Sequence, residues 1–300
     1  MEKIIIGNVL SHANIEVGLG LETKINLIIG ANSEEQAEDE KEKIRVAAEL
    51  GVHTIIDLST VRLKQSLWQW GRENFPHIAF GKVAPILVAR ENGGDVPPAK
   101  LLEEIRWSVE AGCDYMTLNL IPPKLENLKV AGCRSFPTTS RQGGVLMRYM
   151  LKHKVDNPYN PIIKDILALF REYRVTMHIG STFRPSGITE AYDSCHRWEL
   201  QQQMEMFRQI DEMGVQAIVE PFSHQPLIDI GPGIAKLRSE HGGYVPFQML
   251  GPIVTDVSFD CDQYATVAGA AVAAMNNVGK ITTIPPREHI GFPTLQDTIE

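Results

Sequence analysis

Three hundred residues with 29 basic and 37 acidic side chains carry a formal charge of −8, which argues against a sequence-independent grip on nucleic acid. Small anions stay open, because one local arginine can outweigh a diffuse net charge. An apolar share of 43% allows a large core, and this length suits two average domains or one α/β barrel.

The opening Met1–Ile6 is too short an apolar run for a signal peptide. The longest small-apolar run, Ala268–Met275, is far below the roughly 20 residues a membrane span needs. The expectation is a soluble, cytoplasmic protein with no membrane partner. Cys113, Cys133, Cys195 and Cys261 stand apart, with no Cys-x-x-Cys pair. That excludes a local zinc ribbon or iron–sulfur loop, and the four read as reduced and mostly buried thiols.

Residues 1–20 read as a lead-in to a barrel domain over 21–300. Lys24–Gly30 is strand-like, and Ser33-x-x-Gln36 fits a capping box that opens a helix with Ile44, Ala47 and Leu50 on one stripe. Thr54–Asp57 is the next strand, followed by a helix marked by Leu63, Leu67 and Trp70. His77–Val83 and Tyr115–Leu120 are further strands, separated by a Gly/Pro-rich loop and a helix with Leu101, Ile105 and Val109 inward. Arg134–Thr139 is a possible fifth strand, and Ser140–Lys154 reads as helix, broken at Asp156-Asn157-Pro158 before a second helix with Ile162, Ile166 and Phe170. Val175–Gly180, Val215–Glu220, Val245–Leu250 and Ile281–Ile284 complete the strands, with a long helix to Met213 and an alanine-rich one over Tyr264–Met275.

Strand–helix alternation repeated this often predicts a parallel sheet, closed at this length as a single-domain (β/α)8 TIM-type barrel. Nine segments compete for eight places, so Arg134–Thr139 or a terminal strand lies outside. An open doubly wound sheet is the alternative, but no Gly-x-Gly-x-x-Gly follows the first strand.

A barrel gathers its working residues at the C-terminal ends of its strands. Those ends carry Asp57, Asn119, Ser140-Arg141, Arg184, Glu220 with His224, Thr255-Asp256, and Glu288-His289. His224 and His289 each sit just past a strand and close to an acid, half of an open site for zinc or iron(II), although a lone histidine is often structural. Ser140-Arg141-Gln142-Gly143-Gly144 offers a hydroxyl, a guanidinium and backbone N–H groups for a phosphate, or is an ordinary capped helix start. Arg184 could reach the same anion. Glu220 reads as a general base or as a buried acid paired with an arginine. His178 reads as a core histidine, and Asp57 as a strand-end acid capping Ser59 or Thr60.

In order along the chain, Lys24-Ile25-Asn26, Asp57-Leu58-Ser59-Thr60, Ser140-Arg141, Arg184-Pro185, Glu220 with His224, Leu250-Gly251-Pro252, Thr255-Asp256 and Glu288-His289-Ile290-Gly291 resemble the phosphomethylpyrimidine synthase (ThiC) family. The resemblance implies a lyase of the radical S-adenosylmethionine class, an aminoimidazole ribonucleotide substrate, a metal on His224 and His289, and a homodimer. It further implies phosphate contacts from Ser140 and Arg141, with Arg184 and Glu220 on substrate-touching positions.

Departures accompany it. The family's Asp-Gly-Leu-Arg is here Ser181-Thr182-Phe183-Arg184, and its Gly-Pro-Gly-His is Pro221-Phe222-Ser223-His224. Its substrate-contacting asparagine, methionine, two tyrosines and histidine fall on Ile28, Ile56, Leu87, Gln248 and Asn119, so the pocket is expected to prefer another ligand. The family binds its [4Fe–4S] cluster on a Cys-x2-Cys-x4-Cys tail, which this chain does not show before Glu300. The leading expectation is a diverged enzyme on a phosphoribosyl-imidazole-type substrate, with hydroxybenzimidazole synthesis the related chemistry. A cluster-free partner subunit binding metal or a phosphorylated ligand, and a metal-dependent lyase or hydrolase, are the alternatives.

Overall fold

The computed structural model describes residues 3–258, 260–288 and 291–300. An N-terminal hairpin, β1 (Lys3–Ile6) and β2 (Ile15–Gly18), precedes the repeats. These run β3 (Lys24–Ile29), α1 (Glu34–Glu49), β4 (Thr54–Asp57), α2 (Leu67–Asn74), β5 (Ala79–Lys82), α3 (Ala84–Glu91), α4 (Pro98–Glu110) and β6 (Tyr115–Leu118). They continue α5 (Arg141–His153), α6 (Ile163–Tyr173), β7 (Thr176–Ile179), α7 (Ser194–Glu212), β8 (Ala217–Val219) and α8 (Leu227–His241). Then come β9 (Gln248–Leu250), α9 (Asp262–Met275), β10 (Lys280–Thr282) and a terminal α10 (Leu295–Ile299).

Eight parallel strands pair in the order β8-β7-β6-β5-β4-β3-β10-β9, and a bridge from Val219 to Phe247 joins the two ends. The result is a (β/α)8 TIM-type barrel. Outward residues such as Leu27, Ile55, Phe80, Met116, Met177 and Met249 form one apolar layer with the helices. Beneath the barrel, the hairpin buries Ile4, Ile6, Ala13 and Val17 against the strand interior. Its backbone is tied to residues at the starts of three strands. Ile5 N–H donates to Gln216, Asn8 N–H donates to Asp114, and the Thr176 hydroxyl donates to the Ile5 carbonyl.

The barrel interior is polar and aromatic. Asn26 is its hub. Its Oδ1 accepts from the Thr54 and Tyr115 hydroxyls, each at 2.7 Å, and its Nδ2 donates to Thr282 Oγ1 at 3.1 Å. The Tyr115 ring fits because Gly81 has no side chain, where a Cβ would stand 2.3 Å from that ring. His178 stacks on Tyr115 with centroids 4.4 Å apart and is fully buried.

Two expectations need correction, and a third falls outside the described residues. Arg134–Thr139 forms no strand, because Arg134 is drawn into the interior by Asp193 and the Phe183 carbonyl. The capping box at Ser33 does not close; Gln36 turns back to accept from Asn32 N–H at 2.8 Å, and Ser33 makes no side-chain cap bond. The histidine pair cannot be compared as a pair, since His289 lies outside the described residues. Three helices, α3, α8 and the short α10, were not foreseen. α3 follows β5 with only Val83 between, and Gly231, Pro232 and Gly233 hide the period of α8.

Asn26→Leu keeps the volume but leaves two buried hydroxyls without their acceptor, and is expected to cost about 2–4 kcal/mol in urea unfolding. A loss below about 0.5 kcal/mol would remove Asn26 from its central place in the interior.

Candidate active site

A cavity of about 610 Å³ opens at the C-terminal mouth of the barrel. One wall is apolar, made of Ile28, Ile56, Leu58, Val83 and Ile86. The facing wall is polar and carries Asn119, Ser140, Arg141, Arg184, Glu220, His224 and Gln248. Seven sequence-nominated residues thus meet around one space. Leu87, expected to face the ligand, instead lines a separate cavity of about 290 Å³ behind α3.

α7 fixes much of the polar wall. His196, Glu199 and Gln203 lie at i, i+3 and i+7 on its inner face, all fully buried. Glu199 accepts from the Ser181 hydroxyl (2.5 Å), Thr182 N–H (2.5 Å) and Phe183 N–H (2.9 Å), gripping the turn that presents Arg184. Gln203 donates to the Glu220 carbonyl at 2.9 Å. The His196 ring accepts from Tyr192 N–H at Nδ1, so Nε2 donates to the Pro221 carbonyl at 2.9 Å. Burial pushes this imidazole down to about 4, keeping it neutral.

Ser140 is the N-cap of α5, accepting from Gly143 N–H at 3.1 Å, so the capped-start reading is correct for its lone pair. The helix begins at Arg141, which places Gly143 and Gly144 inside its first turn. A Cβ on Gly143 would lie 2.9 Å from Thr182, so glycine permits the close packing of α5 on the β7 turn. Asn119 donates to Thr182 Oγ1 at 3.1 Å. Asp57 caps the turn after β4 as expected, accepting from Ser59 N–H, and also from Trp68 N–H in α2.

Glu220 accepts from Gln248 Nε2 at 3.1 Å. Burial raises its pKa, opposed first by the Arg184 guanidinium and then by the Gln248 hydrogen bond. Arg184 Nε is buried without a hydrogen-bond partner among the described residues and lies on the cavity wall. His224 Nδ1 contacts Asp256 Oδ1 at 3.2 Å, and Asp256 also accepts from Ile188 N–H at 2.9 Å. A Cβ on Gly187 would stand 2.7 Å from that carboxylate, so this close approach needs glycine.

A model of the Radical SAM ThiC family aligns with residues 2–300. The chain belongs to the radical SAM ThiC family. By structure it is similar to dihydropteroate synthase of Xanthomonas albilineans solved with 4-aminobenzoic acid, at 13% identity, 89% of each chain and a TM-score of 0.51. The 7,8-dihydropteroate synthase of Vibrio fischeri ES114 is similar at 11% identity, 94% of this chain, 92% of the other and a TM-score of 0.51. At such identities the likeness is one of fold.

For this ThiC-family chain, the donor sets fit the implied groups unequally. Among the described residues no three His, Cys, Asp or Glu side chains gather to hold a metal ion. His224 is the one described member of the expected pair, and Asp256 Oδ1 contacts its Nδ1. The cysteines do not fit a cluster. Cys113 and Cys195 are buried, Cys133 and Cys261 exposed, and none joins such a group among the described residues. Among the described residues no helix is long and apolar enough to cross a membrane.

Sequence reasoning missed the α7 stripe, although three polar residues at helical spacing beside Leu200 and Met204 carried the signal. It also missed Asp256 as the partner of His224, and Lys280 in the interior.

Burial lifts Glu199 from 4.5 to about 7 despite its three donors. Folded protein then binds this proton more tightly than the unfolded chain, so the contribution is complete below pH 4.5 and is lost as pH rises through about 7. Glu199→Gln keeps an acceptor and does not titrate. Its stability relative to wild type is expected to rise by on the order of 3 kcal/mol between pH 4.5 and 8 in urea unfolding. A difference independent of pH would place the Glu199 titration outside that window.

Proposed function

We propose that this chain is a ThiC-like enzyme that binds a phosphoribosyl-imidazole-type substrate across the barrel mouth. One observation carries the reading. In a chain matched to the family from residue 2 to 300, two arginines, a capped helix start and a buried acid share one cavity. The phosphate lies at the first turn of α5, near Arg141 and the Ser140 hydroxyl hydrogen, with Arg184 closing on it. The flat ring rests on the Ile28 and Ile56 wall, and Glu220 holds or receives a proton at its polar edge. Asn119 and Gln248 supply the remaining hydrogen bonds.

The substitutions Ile28 and Gln248 change what that ring can offer, so the thiamin pyrimidine is not the favoured product; a benzimidazole-type rearrangement is the related chemistry. Radical chemistry would require S-adenosylmethionine and a [4Fe–4S] cluster, whose one-electron reduction no side chain replaces. The four cysteines here are not its ligands. A zinc or iron(II) ion on His224 and His289 belongs to the same proposal, with Asp256 fixing the His224 ring. The apolar wall favours a second reading: a partner subunit that binds metal or a phosphorylated ligand and turns nothing over. Isothermal titration of 5-aminoimidazole ribonucleotide against its nucleoside, followed by an anaerobic assay for 5′-deoxyadenosine, separates the two.

We also propose a homodimer through α9. From Gln263 to its end at Met275 this helix carries no charge, yet it leaves Tyr264, Val267 and Met275 at 71%, 68% and 82% exposure. A helix apolar on every side is expected to be covered.

Arg141→Ala and Arg184→Ala are each expected to weaken the ribonucleotide by about 10- to 100-fold and the nucleoside by less than about 3-fold, read by calorimetry. Equal losses for both ligands would move the phosphate elsewhere. His224→Ala is expected to abolish metal retention by elemental analysis, and undiminished metal would end the histidine assignment. Val267→Asp is expected to give monomer in light scattering, and an unchanged mass would exclude α9 as the interface.

A further inference from the structure

Three consecutive strand positions around the barrel carry an acid, an amide and an amine in one inward layer. Lys280 of β10 pairs in register with Gln248 of β9. The bridge between Val219 and Phe247 sets Gln248 beside Glu220. Gln248 Nε2 donates to Glu220 Oε2 at 3.1 Å, so its Oε1 can only accept from a donor elsewhere. That oxygen is buried and has no partner among the described residues. The same is true of Lys280 Nζ, which is fully buried below the cavity floor and lies 3.8 Å from the Tyr115 ring centroid. A buried donor and a buried acceptor on paired residues, each lacking a partner, are complementary.

We propose that Lys280 is the positioning residue that fixes the charge of Glu220, acting through the Gln248 amide between them. The inference rests on the reading of Glu220 as the substrate-facing acid. The ionisable groups facing the pair are Arg184 on the cavity side of Glu220, His178 of β7, and Tyr115 of β6. Burial disfavours charge on both partners, raising Glu220 and lowering Lys280, and each opposes that effect in the other. With one proton between them the pair has no net charge, whichever partner holds it. A protonated Lys280 therefore adds to the Arg184 guanidinium in favouring a carboxylate at the cavity floor.

The test follows the Glu220 carboxyl by 13C NMR in protein labelled at glutamate Cδ, assigned with Glu220→Gln, with no metal, cluster or substrate added. In Lys280→Met the Glu220 midpoint is expected to rise by at least about one pH unit, a tenfold change in its ionisation constant. Gln248→Met is expected to raise it in the same direction. A folded Lys280→Met whose midpoint stays within about 0.3 pH unit of wild type overturns the proposal. Should that variant not fold, 15N titration of Lys280 Nζ decides. Its midpoint is expected to fall in Glu220→Gln, and an unmoved midpoint overturns the coupling. A wild-type protein that ignores the ribonucleotide but shows these shifts would overturn the function alone.

Discussion

The candidate site depends on one helix face that bonds to backbone. His196, Glu199 and Gln203 each spend a buried polar group on the loops after β7 and β8. Those loops leave the sheet and lose their ladder partners, so their N–H and C=O groups need acceptors and donors from elsewhere. α7 supplies them at fixed spacing. Arg184, Glu220 and His224 therefore extend from loops pinned within four residues of each strand end, which gives a polar wall defined by hydrogen bonds more than by packing.

The interior of this barrel is not filled with stacked aliphatic layers alone. Asn26, Thr54, Tyr115 and Thr282 form a closed hydrogen-bonded set in the middle, and the hairpin plugs the lower end with isoleucines. This division lets the upper layer stay polar. A carboxylate placed directly above an aliphatic plug would have no local compensation, whereas here an amide and an amine share its layer.

The architecture was legible because period-2 runs bounded by helices are a strong signal. Eight of the nine strand segments read from sequence are strands, and the ninth fails because Arg134 is an ion-pair anchor and not an edge residue. Much of the cavity lining was also legible, since strand-end polar residues in a barrel converge by topology. What escaped was whatever depends on side-chain direction. Leu87 faces away because α3 begins immediately after β5, rotating that residue off the mouth. The Ser33 cap failed because Gln36 found the Asn32 N–H first. Lys280 was passed over because a lysine at the start of a strand ordinarily faces solvent, and nothing local reveals that the sheet has closed around it.

The two walls constrain the ligand more tightly than either alone. The apolar wall offers no hydrogen bond, so a ring face or a methyl group is accepted there and a hydroxyl is not rewarded. The polar wall places cationic Arg141 and Arg184 beside the α5 N-terminus and a buried acid nearer the floor. A molecule that satisfies both must be flat and weakly polar on one side, anionic at one end, and able to donate toward Glu220 at the other. A simple sugar phosphate lacks the flat face, and a free base lacks the anion. A phosphorylated N-glycoside of a small amino-substituted heterocycle has all three properties, which is the chemical basis of the substrate class proposed above.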